Sequence, residues 1–304
     1  MDQPEYMDNE TFPAKLLLFG EYGVLLGSAA LSVPLSIFTG KFMAHFQPGT
    51  VGEKSNTELK KLRDYLIKND FNEFDLASFS NDIENGLYFS STIPNQYGLG
   101  SSGALVAAFY YKYAQNAINR NETNAELINL LKTKLSAIES FFHQKSSGLD
   151  PLVSYLNRPV LVSNHIVKTV NLPQSGMHIF LIDSKTKGNT GKNVNNFLKI
   201  IENEDTRQIM DTEYKTLINN SINSFLIENE SDFILNLKKL SQFQCKYFAP
   251  MFGNEYIALA QHGMETNNYI LKLCGSGGGG FVLGFSRKAA APHWFPNKRI
   301  ITTN

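Results

Sequence analysis

Five places in this chain combine residue types and spacings that chemistry can use. The first is Pro94 to Ala104, Pro-Asn-Gln-Tyr-Gly-Leu-Gly-Ser-Ser-Gly-Ala. It separates a strand-like segment, Leu87 to Ile93, from Leu105 to Tyr113, an apolar run too rich in alanine for a strand. That order predicts a glycine loop opening onto a helix. Gly98, Gly100 and Gly103 leave backbone N–H groups uncovered, so an anion can come close to them. The helix behind adds its positive dipole end and its unpaired first-turn donors, a geometry that binds phosphate. Ser101 and Ser102 can cap that helix or reach a metal riding on the phosphate. The plain alternative is a flexible loop with an ordinary serine cap. The coincidence of loop, hydroxyls and helix start favours the anion site.

Lys15 is the one charge in the apolar run Ala14 to Phe19. By periodicity alone it reads as an edge lysine, with its stem on a sheet and its head in water. Glu139 lies four residues after Leu135 and three before Phe142, on the apolar face that Leu131 and Ile138 share. A lone carboxylate there is costly unless a core hydrogen bond, a salt bridge or a metal compensates it. Asp150 follows in Ser-Ser-Gly-Leu-Asp-Pro, where a simple helix N-cap is the bland reading. Last comes Cys274 to Gly280, with four consecutive glycines between the strand-like runs Asn268 to Leu273 and Phe281 to Phe285. A floppy linker is rarely flanked so tightly by apolar strands.

The elements that must position these residues can be read coarsely. Ala14 to Phe19, Val24 to Leu26 and Phe38 to Phe46 read as strands joined by tight turns. Ser55 to Lys68 carries Leu59, Leu62, Leu66 and Ile67 at helical spacing. Phe71 to Ile93 alternates loosely and predicts strands, with a turn at Asn85-Gly86. Glu122 to His143 is a long amphipathic helix. Pro159 to Val170 and His178 to Ile182 are strand-like, and the loop Asn171 to Gly176 marks a soft boundary between residues 1–172 and 173–304. Thr206 to Lys246 reads as two helices and Glu255 to Met264 as a shorter one.

Composition narrows the function. Of 304 residues, 42% are hydrophobic and 18% charged, which argues against disorder along the whole chain. Lysine plus arginine and aspartate plus glutamate balance at 28 each, so no nucleic acid or anionic membrane is expected as partner. Cys245 and Cys274 are too few for a disulfide framework and suit structural thiols in a reducing cytoplasm. The start, Met1 to Glu10, is acidic and polar, unlike a signal peptide. No apolar run reaches the roughly 18 residues of a membrane span. The expectation is a soluble cytoplasmic protein, with its assembly, a homodimer included, left open.

The pattern P-x-x-x-G-L-G-S-S-G-A resembles the central phosphate-binding motif of the GHMP kinases, the family of galactokinase, homoserine kinase, mevalonate kinase and phosphomevalonate kinase. It is not the pattern in which a lysine follows the glycines. Pro-Ala-Lys-Leu-Leu-Leu-Phe-Gly-Glu-Tyr-Gly-Val-Leu-Leu-Gly, from Pro13, resembles the family's N-terminal motif. There Ala14 replaces a usual glycine, and Tyr22 stands where mevalonate kinases keep a histidine; G-E-Y is seen in phosphomevalonate kinases. The stretch from Glu139 through His143 to Asp150 resembles the E-x-x-x-H-x-x-x-S-G-[IL]-D of mevalonate kinases. Asp183 to Thr190 resembles a segment whose threonine faces substrate. K-L-C-G-S-G-G-G-G-F resembles the C-terminal glycine motif, with Cys274 and Ser276 as mild departures.

The resemblance spans Pro13 to Phe285. It implies an α+β, two-domain GHMP kinase fold, an N-terminal ribosomal protein S5 domain 2-like domain and a C-terminal ferredoxin-like domain. It implies ATP and Mg²⁺ as cofactors and a small-molecule acceptor. Gly98, Leu99, Gly100, Ser101, Ser102 and Gly103 would hold the phosphates, with Gly275, Ser276 and Gly277 close by. Ser102 and Glu139 would hold Mg²⁺. Asp150 would accept or orient the acceptor's proton, and Lys15 would lower the pKa of the acceptor hydroxyl and offset charge. Glu21, Tyr22 and Thr190 would face the acceptor, though Thr190 has a helix cap as its alternative. His143 matches a family histidine, for which a packed role is the simpler reading. Lys185, Lys187 and Lys192 are either acceptor-binding cations or solvated surface lysines. Mevalonate is the acceptor nearest the pattern, followed by phosphomevalonate and a sugar; a non-catalytic nucleotide-binding regulator is the alternative outside enzymes.

Overall fold

The computed structural model describes residues 10–143, 146–164, 166–174, 176–290 and 292–303. Strand β1 (Phe12–Phe19) is the apolar run around Lys15. After it the sequence predicts a second strand, but Gly23–Leu26 forms a 3₁₀ turn. Gly20 at φ +119° and Gly27 at φ +79° break the extended chain on both sides, and Val24 and Leu25 are 42% and 56% exposed, without a face to bury. Strand β2 (Ala30–Met43) starts earlier than the pattern suggests. Helix α1 (Val51–Lys68) buries Leu59, Leu62 and Leu66 but leaves Ile67 exposed.

The predicted strands over Phe71 to Ile93 are in fact a helix, α2 (Leu76–Glu84), and one short strand, β3 (Tyr88–Ser91). Asp75 explains the helix. Its carboxylate accepts the Ser78 N–H at 2.9 Å, and Phe79 and Ile83, four residues apart, are buried. Then come α3 (Ser101–Tyr113), α4 (Ala125–Glu139) and α5 (Leu149–Leu156). Helix α4 begins later than expected because the Asn124 side chain accepts the N–H groups of Glu126 and Leu127.

Strands β4 (Val160–Ser163) and β5 (Ile166–Thr169) pair antiparallel, and β6 (His178–Asp183) follows. Helix α6 (Thr190–Ile200) is capped by Asn189, so Thr190 is its first residue and not its cap. Helices α7 (Glu204–Ile209) and α8 (Lys215–Leu226) are joined by a wide π turn, Met210–Tyr214. Helices α9 (Glu230–Tyr247), α10 (Ala249–Phe252) and α11 (Asn254–Thr266) lead to β7 (Ile270–Leu273), β8 (Phe281–Ser286) and β9 (Ile300–Thr302).

The chain packs as two compact units built from interleaved segments. The first holds the chain up to Lys15, Pro34–Pro94 and Gly100–Arg158. Its core lies around α3, in which every residue from Gly103 to Tyr110 is buried. On α4, Ile128, Leu131, Leu135 and Ile138 are fully buried. Helix α3 packs on α5 at Gly103, where a side-chain carbon would stand 2.8 Å from both the Asp150 carbonyl carbon and the Pro151 nitrogen.

The second unit holds Leu16–Val33, Asn95–Leu99 and the chain from Pro159 onward. Its antiparallel sheet runs in the order β7-β8-β6-β9. Phe19 packs against Phe225, Phe233 and Phe285 in its core. The glycine run between β7 and β8 connects two directly paired strands, Leu273 facing Val282, and is no linker.

Because that packing needs hydrogen at position 103, Gly103→Ala is expected to lower stability by about 1–3 kcal/mol, the usual cost of overpacking. A chemical-denaturation midpoint equal to the parent's would contradict the close approach of α3 and α5.

Candidate active site

In the first unit, four of the expected residues come together. Lys15 is 7% exposed, and its Nζ lies 2.8 Å from Asp150 Oδ1. The lysine is therefore not a surface residue with its head in water. Asp150 is not a helix cap: Gly148, at φ +71°, is the cap of α5, and the carboxylate belongs to the first turn. An acidic group there also meets the positive end of the helix.

Gly100, at φ +70°, caps α3 in the left-handed conformation, so neither Ser101 nor Ser102 is the cap. A side-chain carbon on Gly100 would stand 3.1 Å from Asp150 Oδ2. The start of α3 thus faces the Asp150 carboxylate. Ser102 Oγ donates to Glu139 Oε1 at 3.3 Å and pairs with His143 Nε2 at 3.2 Å. His143 is exposed and hydrogen-bonded rather than packed.

Glu139 is 4% exposed. Burial foremost, and then the negative charge of Asp150, push its carboxyl up to about 7; bonds from Ser146 and Ser102 and the charge of Lys15 oppose that rise. Ser146 was not foreseen. Its hydroxyl donates to Glu139 Oε2 and accepts the Gly148 N–H at 2.9 Å, tying the carboxylate to the cap of α5.

A magnesium ion takes oxygen ligands, commonly one or two carboxylates completed by water and phosphate. Among the described residues, no three His, Cys, Asp or Glu side chains converge on a cation cage. One hydroxyl at the start of α3, Ser102, and one buried carboxylate at the end of α4, Glu139, fit a cation that would arrive with phosphate.

In the second unit, three loops meet. The Gly188 N–H donates to Gln96 O at 2.9 Å, and the Gly280 N–H to Thr186 O at 2.7 Å. Gly98, Gly275 and Gly277 all have positive φ, and a side-chain carbon on Gly275 would lie 3.8 Å from Gly98 O. Leu99 is buried. Ser276 Oγ lies 3.3 Å from Thr190 Oγ1, and Thr190 is exposed. Lys185, Lys187 and Lys192 are exposed as well, and Lys185 Nζ reaches Asn297 O at 3.4 Å.

Glu21 and Tyr22 are buried, at 2% and 5% exposure. Glu21 forms an ion pair with Lys272, itself fully buried, and its carbonyl accepts the Tyr214 hydroxyl at 2.7 Å. Lys272 carries the same sequence signal as Lys15, a single charge inside an apolar strand, but was not singled out. Asn193, which donates to Gly277 O at 2.6 Å, has no such signal.

Residues 61–158 match the family model for the GHMP kinases N terminal domain. No curated protein sequence matches the chain. Solved structures match along nearly its whole length. L. major mevalonate kinase in complex with R-mevalonate is 16% identical, with a TM-score of 0.64, over 95% of this chain and 91% of that one. Streptococcus pneumoniae phosphomevalonate kinase is 15% identical, with a TM-score of 0.61, over 98% of both chains. Lactococcus lactis galactokinase complexed with galactose is 12% identical, with a TM-score of 0.67, over 97% and 93%. Residues 61–158 thus match a GHMP kinase N-terminal domain, and the chain as a whole has the mixed helix-and-sheet fold of these solved structures.

The Glu139 carboxyl gives a pH test. Its native pKa of about 7 lies above the ordinary 4.5, so the folded chain holds more protons than the unfolded chain between those values. Stability from this group is full below about pH 4.5 and is lost as pH rises through about 7. Glu139→Gln cannot ionise. Without magnesium or nucleotide, its melting temperature relative to the parent's should climb across that window. A pH-independent difference would contradict the burial of an ionisable group.

Proposed function

We propose that this chain is a GHMP kinase that transfers the γ-phosphoryl group of ATP to the hydroxyl of mevalonate or a similar small alcohol. The observation that carries the reading is the Lys15–Asp150 pair at 2.8 Å, set against the glycine-capped start of α3. Phosphoryl transfer needs positioning and charge neutralisation more than covalent help from the protein. The N–H groups at Gly100 to Gly103, with the helix dipole behind them, hold phosphate. Ser102 and Glu139 would hold Mg²⁺, which when bound would supply neutralisation of phosphate charge. The acceptor oxygen attacks the γ-phosphorus, the bond to ADP breaks, and the hydroxyl proton is accepted or oriented by Asp150. Lys15 keeps that carboxylate in place and lowers the acceptor's pKa.

The motif around Glu139 and Asp150 supports mevalonate first. Tyr22, in place of a histidine, supports phosphomevalonate as the second reading, and the likeness to galactokinase keeps a sugar third. A non-catalytic nucleotide-binding regulator has no need of Lys15, Ser102, Glu139 and Asp150 together.

A coupled assay of ADP formation with mevalonate, phosphomevalonate, galactose and homoserine tests this. Turnover is expected with mevalonate or its monophosphate and not with galactose or homoserine. Preference for galactose would overturn the choice of acceptor and leave the kinase. Nucleotide binding with no turnover of any of the four would favour the regulator.

A further inference from the structure

The motif that runs from Glu139 to Asp150 leaves position 146 open, yet the serine there bonds toward both of those acids. Ser146 Oγ donates to Glu139 Oε2 and accepts the Gly148 N–H at 2.9 Å. Chemistry fixes the direction of both bonds. An amide N–H can only donate, so the hydroxyl receives it on a lone pair and gives its one proton to the carboxylate. A hydrogen bond to a carboxylate is also shorter and stronger than one between neutral groups.

Glu139 is the last residue of α4, and so long a side chain has several rotamers open to it. Its two oxygens are nonetheless assigned. Oε1 accepts the Ser102 hydroxyl at 3.3 Å, at the start of α3, and Oε2 accepts Ser146. Residue 146 is itself held against α4, where Ser136 Oγ donates to Ser146 O at 2.8 Å. Gly148 packs so closely on the same helix that a side-chain carbon there would collide with Lys132 O, and it then opens α5. Two residues further on stands Asp150, paired with Lys15. One hydroxyl thus ties the carboxylate at the end of α4 to the turn that sets the carboxylate of α5. All of these groups lie within the first unit.

We propose that Ser146 is a positioning residue for the cation site: it holds Oε2 of Glu139 so that Oε1 is kept beside the Ser102 hydroxyl. A partner behind a metal ligand fixes that ligand's orientation, and its removal is felt in metal affinity. Ser146 acts through Glu139, and its bond to the Gly148 N–H keeps the carboxylate in step with the start of α5. The inference rests on the kinase reading, because it takes Ser102 and Glu139 as the groups that would hold Mg²⁺.

Ser146→Ala removes the hydroxyl and little else. The affinity of the full chain for a non-hydrolysable ATP analogue is measured by calorimetry, with Mg²⁺ and with a chelator in its place, above the range in which Glu139 titrates. The ratio of the two affinities is the gain that the metal supplies. In Ser146→Ala that gain should fall roughly ten-fold, the low end of what losing a partner behind a metal ligand costs. The affinity without metal should stay within error. Ser146→Thr, which keeps the hydroxyl, should retain the gain. Glu139→Gln should lose the gain by itself, and adding Ser146→Ala to it should change the ratio no further. An unchanged gain in Ser146→Ala overturns the proposal, as do losses that multiply in the double variant. Equal weakening with and without metal, together with a lower melting temperature, also overturns it, in favour of a merely structural role. If the alanine variant does not fold, Ser146→Cys, whose thiol is a weak donor, is read by the same outcomes. A parent chain whose affinity for the analogue is indifferent to Mg²⁺ rejects the cation site and the proposal while leaving the kinase reading. A parent chain that binds no analogue at all rejects the kinase reading first and the proposal with it.

Discussion

A lysine buried in an apolar strand must have a partner, and Asp150 is the partner of Lys15. The ammonium loses most of its water in β1, and without the carboxylate it would be costly to keep charged. Much of the first unit serves to bring that carboxylate close. Gly148 turns the chain into α5 so that Asp150 falls in its first turn. Gly103 lets α5 pack directly on α3, and Gly100 opens α3 with its backbone beside the same carboxylate. The pair is a weak source of net stability, since desolvation offsets much of its attraction. Its value lies in fixing two charged groups at the helix start where an anion would bind.

The second unit meets a related problem with different means. Its glycine loop adopts backbone angles that side chains avoid, and a loop so free would not hold one shape without help. The help comes from buried groups around it: Tyr22 and Asn193 on successive carbonyls, and Lys272 at the end of β7. Both units thus place a charged or polar group in an apolar setting to fix a glycine-rich backbone.

The sequence made some of this legible and hid the rest for definable reasons. Lys15, Glu139 and Asp150 stood out because each is a charge in an apolar or turn context, and the structure brings all three together. Helix α2 was hidden because Phe79 and Ile83 lie in a stretch whose alternation also suits a strand; the deciding signal was Asp75, a capping residue. The 3₁₀ turn at Gly23–Leu26 was hidden because three apolar residues in a row look like a strand even where two are exposed. Ser146 and Asn193 are ordinary polar residues in sequence, and what they do depends on loops that fold back onto them. Tyr22 could be picked out by its motif, but its direction could not, because that follows from a positive φ that no pattern of residue types reveals.

The central claim is that Lys15 and Asp150 act as one unit on the acceptor hydroxyl. A double-mutant cycle on turnover tests it, using Lys15→Met, Asp150→Asn and the pair, with ATP binding followed alongside. Each single change should slow phosphoryl transfer by about 10²–10⁴-fold while ATP still binds, and the double variant should be little slower than the worse single one. Losses that simply multiply, or a variant with parental turnover, would contradict the account.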